Sequence, residues 1–112
     1  MHIVKATIAH LSGVLDARVS ASVPASRPDK FVTVERTGGY VSLTSDQATL
    51  TLQAWARDRQ TCETLAESVV SAMLDMPSEI EGVMRVDIDK RFYPETVDGY
   101  WPRYVFTATV YC

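Results

Sequence analysis

The residues of this chain that could do chemistry are few, and each competes with an ordinary structural role. The glycine pair of ERTGGY, Gly38 and Gly39, is the first. A phosphate-binding Walker loop needs two glycines five positions apart, then Lys and a hydroxyl residue, so that backbone amides and an ammonium surround the phosphates. Here no Lys follows, the next element reads as a strand rather than a helix, and GxGxxG is absent. The pair is read as a turn, because adjacent glycines readily adopt positive φ. Asp87 and Asp89 lie two apart with Arg85 and Arg91 beside them. Paired carboxylates can hold a cation or move protons, but only with further ligands and a cleft. Alternating opposite charges along a strand usually mark a solvated face. His2 and His10 lack partners at metal-ligand spacing and read as surface residues, and no Ser, Cys or Lys stands in a nucleophile motif. The sequence thus points to no catalytic residue, metal or cofactor, and to a protein that is not an enzyme.

Three further features have chemistry suited to contacts between proteins. Arg36 shares the parity of Val32 and Val34 but stands at the end of its strand. It reads either as an ordinary strand-end residue or as half of an ion pair across a subunit boundary. Trp55 falls among Thr and Gln on the outward face of its strand, where it either packs beneath the N-terminal helix or anchors an interface. Tyr100, Trp101, Arg103 and Tyr104 gather four interface-prone side chains within five positions.

The elements that must position these residues follow from periodicity. Ile3, Val4, Ile8 and Leu11 give a short helix with one buried stripe, stopped at Gly13. A strand is expected over roughly Leu15–Val23, then an exposed Pro- and Ser-bearing connection over Ala21–Lys30, and a clearer strand over Phe31–Thr37. Gly38 and Gly39 would base an arm reaching from Tyr40 to Asp46. Ala48–Ala56 alternates strictly, with Leu50, Leu52, Ala54 and Ala56 on one face and Thr49, Thr51, Gln53 and Trp55 on the other. Arg57–Met76 is the long helix, capped by Asp58, striped by Cys62, Leu65, Ala66, Val69, Met73 and Leu74, and stopped by Pro77. Strands over Val83–Lys90, with Met84, Val86 and Ile88 inward, and over Arg103–Tyr111 complete the chain. The fold class is α+β, a mainly antiparallel twisted sheet of four to five strands packed by one long helix and a shorter N-terminal one. One long helix cannot cover both faces of such a sheet, so burial against another subunit is expected.

Composition limits the partners. The chain has 112 residues, 46% hydrophobic and 22% charged, within the range of one soluble domain. Its net charge of −3, from 11 basic and 14 acidic residues, argues against holding nucleic acid by phosphate neutralisation. No apolar run approaches the ~20 residues that span a bilayer, and MHIVKATIAHLSG does not read as a signal peptide. No membrane association and assembly in a cytoplasm are therefore expected. Cys62 and Cys112 do not amount to a disulfide framework.

In the order of its features the chain resembles the tail terminator (tail completion) proteins of long-tailed bacteriophages, particularly those of actinobacterial hosts. The matching segments are the helix ending near LSGV, then VSASVPASRP, FVTVERTGG, DQATLTLQAWA, the helix carrying CETLAESVVSAML, and PRYVFTATV. ERTGG and LQAWA followed by a helix are the most specific. The resemblance implies a hexameric ring at the head-proximal end of the tail, in the virion. That ring ends polymerisation of the tail-tube protein and docks a head–tail connector or stopper protein, while DNA passes through the lumen without specific binding. On this reading Arg36, Gly38, Gly39, Tyr40, Asp46, Trp55, Tyr100, Trp101 and Arg103 belong to subunit or partner interfaces. The rival readings are another neck component, such as a head-completion or minor tail protein, and a small ligand-binding or enzymatic domain on a ferredoxin-like sheet.

Overall fold

The computed structural model describes residues 2–26, 28–43, 46–91 and 102–112. The chain is α+β, with elements in the order α1 (Ile3–Val14), β1 (Arg18–Ser20), β2 (Lys30–Val41), β3 (Asp46–Ala56), α2 (Arg59–Leu74), α3 (Met76–Glu79), β4 (Arg85–Arg91) and β5 (Arg103–Tyr111). The strands form one five-stranded sheet in the order β1-β2-β3-β5-β4. Every pairing is antiparallel except that of β1 with β2.

The helices cover one face of this sheet. Alternation sends Val32 and Val34 of β2, Leu50, Leu52, Ala54 and Ala56 of β3, and Tyr104, Phe106, Ala108 and Val110 of β5 to that face, where all are buried. Against them α2 packs Cys62, Leu65, Ala66, Val69 and Met73, and α1 contributes Ile3 and Leu11. The α2 N-terminus is closed by Asp58, whose carboxylate accepts from the Thr61 amide at 2.8 Å and the Thr61 hydroxyl at 2.8 Å. These bonds lower the Asp58 pKa. The two helices are tied together by His10, whose Nε2–H donates to the Ala72 carbonyl at 2.8 Å. His10 is therefore a half-buried structural residue, not the surface residue expected. No helix among the described residues is long and apolar enough to cross a membrane.

Several expected boundaries move. Helix α1 runs through Gly13 and ends where Leu15 turns extended, at φ −90° and ψ 145°. The first strand shrinks to three residues. Pro77 does not stop α2, which ends at Leu74. It occupies the first turn of α3, where its missing N–H has no helical partner to lose. As a result Met76, not Leu74, completes the buried stripe, and Leu74 is exposed. Met84, expected inward, is 68% exposed, because it precedes β4 and stands outside the paired register that turns Val86 inward.

The largest correction concerns Gly38 and Gly39. They are neither a turn nor the base of a separate arm. Strand β2 continues through them to Val41, with Gly38 opposite Thr49, Gly39 opposite Ala48, Tyr40 opposite Gln47 and Val41 opposite Asp46. A register shift between Arg36 and Gly38 leaves Thr37 as the extra residue of a bulge. Because β3 pairs with β5 as far as Gln47, this end of the hairpin is ordinary sheet.

Candidate protein-interaction surfaces

Two of the expected interface groups are assembled by the sheet, at opposite ends of β3. The first is built on the bulge. By skipping Thr37, the bulge places Arg36 and Gly39 on the same face of β2, and the Arg36 side chain folds back across the glycines. Its Nε donates to the Gly38 carbonyl at 3.2 Å, and a terminal nitrogen lies 3.4 Å from the Asp46 carboxylate. Gly39 has φ of +141°, and a β-carbon there would collide with the Gln47 carbonyl and come within 2.9 Å of the Arg36 guanidinium. Glycine is required here for the backbone and for the seat of the arginine. Gly38 is under no such constraint, since its nearest neighbour would be the Thr49 β-carbon at 3.8 Å.

Arg36, Gly38, Gly39 and Asp46 thus form one unit within a single chain, and the carboxylate that Arg36 meets is its own Asp46. With both side chains about one-third exposed, the ion pair is worth little as a bond; its effect is to pin the bulge. Beside it, burial and the nearby Asp46 carboxylate raise the pKa of the Cys112 thiol. Immediately beyond stand three exposed apolar side chains: Tyr40 at 61%, Val41 at 68% and Leu43 at 106%.

The second group centres on Trp55. Register places it on the face away from the helices, as its parity requires, yet it is only 4% exposed. It is not covered by α1. Phe31, directly opposite on β2, stacks on it with ring centroids 5.5 Å apart and planes at 11°. From the other side the Arg103 guanidinium lies 5.2 Å from the Trp55 ring centroid and donates to Gln53 Oε1 at 3.4 Å. Tyr100 and Trp101 lie outside the described residues.

Between the two groups extends a surface that reading single strands does not assemble. Thr49 pairs with Thr109 and Thr51 with Thr107, so the runs TLT and TAT set four threonines in a square on the helix-free face. Thr37 joins them through a 3.0 Å hydroxyl–hydroxyl bond to Thr51. At the hairpin end the row is Tyr40, Gln47, Tyr111 and Arg85, with the Arg85 guanidinium 4.2 Å from the Tyr111 ring centroid. The repeated Thr-x-Thr was the available signal for this surface. Strand pairing alone shows that the two copies are neighbours.

The remaining candidates resolve into structural roles. Asp87 is engaged by Arg85 at 3.1 Å. The Cys62 thiol is buried and donates to the Ala54 carbonyl at 3.2 Å; burial pushes its pKa up to about 11, which makes it a poor nucleophile. Among the described residues no group of His, Cys, Asp and Glu could hold a metal ion. A shallow groove between the end of α1 and the start of α2, lined by Leu15, Lys30, Thr61 and Leu65, stays open to solvent.

No family model matches the chain, and no curated protein matches it in sequence.

Proposed function

We propose that this protein is a structural component of a phage virion, a tail terminator that acts by assembling into a ring and binding other proteins. The observation that carries the reading is the half-covered sheet. Helices bury one face. On the other, which no described helix covers, Thr49, Thr51, Gln53, Val105, Thr107 and Thr109 are each half-buried, while Phe31 and Trp55 at one end are buried. Exposed Tyr40, Val41 and Leu43 stand at its rim. A cluster of exposed large apolar residues at the rim of such a face, one of them a tyrosine, is the material of a protein interface.

A ring fits the task. A heterologous contact that closes on itself cannot continue sideways, and its two ends differ, so one can bind the tail-tube protein and the other a connector or stopper. DNA passes such a lumen without a base-specific contact. The hexameric number comes from the resemblance of the sequence to tail terminators.

Light scattering on the purified protein, with negative-stain microscopy, tests the assembly. Closed rings of one size are expected; a protein that remains monomeric at high concentration and alongside tail-tube protein refutes it. In the phage that carries the gene, deletion should give overlong or headless tails. Normal tails already joined to heads would refute the function. Labelled virions would separate this role from that of another neck component by the position of the label.

A further inference from the structure

The sheet has an unfilled place on one side and a strand of matching length on the other. Strand β1 pairs with β2 only at Phe31, Val32 and Thr33. Beyond that point, from Val34 to Tyr40, no described strand lies along the outer edge of β2. At the opposite side of the sheet β4 pairs, among the described strands, with β5 alone.

Following the pairings across the sheet assigns each residue a level. Tyr40 is level with Arg85, Gly39 with Val86, Gly38 with Asp87, Arg36 with Ile88, Glu35 with Asp89 and Val34 with Lys90. The unfilled place beside β2 therefore occupies the levels that Arg85–Lys90 occupy on the far side. Only Arg91, level with Thr33, would meet the end of β1.

We propose that copies of this chain join by their sheet edges, β4 of one copy pairing antiparallel with Val34–Tyr40 of the next, so that the sheets run continuously around the ring. The proposal rests on the ring assembly argued above and specifies its contact. Direction agrees: β4 is antiparallel to β5, and β5 runs parallel to β2 because both flank β3 antiparallel. A copy related by rotation about an axis along the strands therefore presents β4 antiparallel to β2 at unchanged levels.

Side chains agree with the main chain. Val41 and Met84, each 68% exposed, stand at the two edges of the sheet. Each stands one residue past the level shared by Tyr40 and Arg85: Val41 lies opposite Asp46, and Met84, whose amide donates to the Tyr111 carbonyl, immediately precedes β4. Edge pairing sets these two apolar side chains against each other. It also brings Arg85, already over the Tyr111 ring, to Tyr40 of the neighbour, a second aromatic face for the same guanidinium. Glu35 beside Asp89 is the unfavourable level, and both lie on the helix-free face where water screens them. Thr37 stays unmatched, as it does against β3. An edge of this length left bare would be an open template for pairing, and a partner strand removes it.

Cysteine cross-linking tests the contact. In a Cys112→Ser background, Val41→Cys and Met84→Cys are introduced together and singly, oxidised, and separated on a denaturing gel. Opposed residues of an antiparallel pair have Cα atoms about 5 Å apart, within disulfide reach. The double variant should give a ladder of covalent oligomers ending at the ring size, at least tenfold more cross-linked than either single variant. Covalent dimers from Met84→Cys alone would mean that two β4 edges pair symmetrically, which overturns the proposal. Wild-type rings on light scattering, with no excess cross-linking in the double variant, would overturn the edge contact and leave the ring reading intact. A wild-type protein that never leaves the monomer refutes both.

Discussion

Gly38 and Gly39 are adjacent, yet a single methyl group should have opposite effects on them. Gly39→Ala places a β-carbon on a backbone with φ of +141°, a conformation that costs a non-glycine residue about 1–3 kcal/mol. The same carbon collides with the Gln47 carbonyl and comes within 3.2 Å of the Ala48 Cα, which belong to the paired strand and cannot swing aside. Overpacking of this kind adds about 1–3 kcal/mol. The expected loss is about 3 kcal/mol or more, a large part of the 5–15 kcal/mol typical of a domain. Gly38→Ala meets only the Thr49 β-carbon at ordinary contact distance. By restricting the unfolded chain it should be neutral or stabilising by about 0.5 kcal/mol. Urea unfolding at low protein concentration measures both through the midpoint, with the slope unchanged. The thermal midpoints should differ by roughly 12 °C or more, at about 4 °C per kcal/mol. If the two variants agree within about 0.5 kcal/mol, the difference argued from the bulge and the +141° backbone is refuted.

Four other expectations can be measured alongside. Thr7 is fully buried in α1 and its hydroxyl has no hydrogen-bond partner among the described residues; Thr7→Val keeps the shape, removes the orphan, and should raise stability by about 1 kcal/mol in the same urea assay. Cys62 holds its proton more tightly when folded, so its contribution is complete below pH 9.0 and lost as pH rises from there to about 11. That loss should vanish from the pH–stability profile of Cys62→Ala. Asp58 has the opposite sign: its lowered pKa contributes stability above the ordinary carboxylate range that is lost as pH falls through its folded value, so Asp58→Asn should flatten the acid limb of the thermal profile. Trp55→Ala empties the place between Phe31 and Arg103 and should cost about 3–5 kcal/mol by urea unfolding, whereas a loss under 1 kcal/mol would contradict its burial.

What the sequence determined by itself was local. Strict alternation in Ala48–Ala56 and Arg103–Tyr111 identified both strands and the faces they bury, because a pleated strand has period 2 and a one-residue slip would turn every leucine to solvent. The stripe from Cys62 to Met73 and the Asp58 cap likewise identified the long helix. Arg36, Gly38, Gly39 and Asp46 were each recognisable as unusual, but their union was not. A glycine pair serves a turn or a bulge equally well, and the choice depends on whether a partner strand continues beside it. Here β3 does, so the strand runs on to Val41 and Arg36 is turned onto Asp46. Trp55 followed the same pattern. Parity set its direction, whereas its burial depends on Phe31, 24 positions earlier, arriving directly opposite. The threonine square and the matching levels of Val34–Tyr40 and Arg85–Lys90 belong to strand order, which no single strand encodes. Period is a property of each segment; register and order arise only when segments far apart in the chain exchange hydrogen bonds, and those bonds decided which surfaces this protein presents.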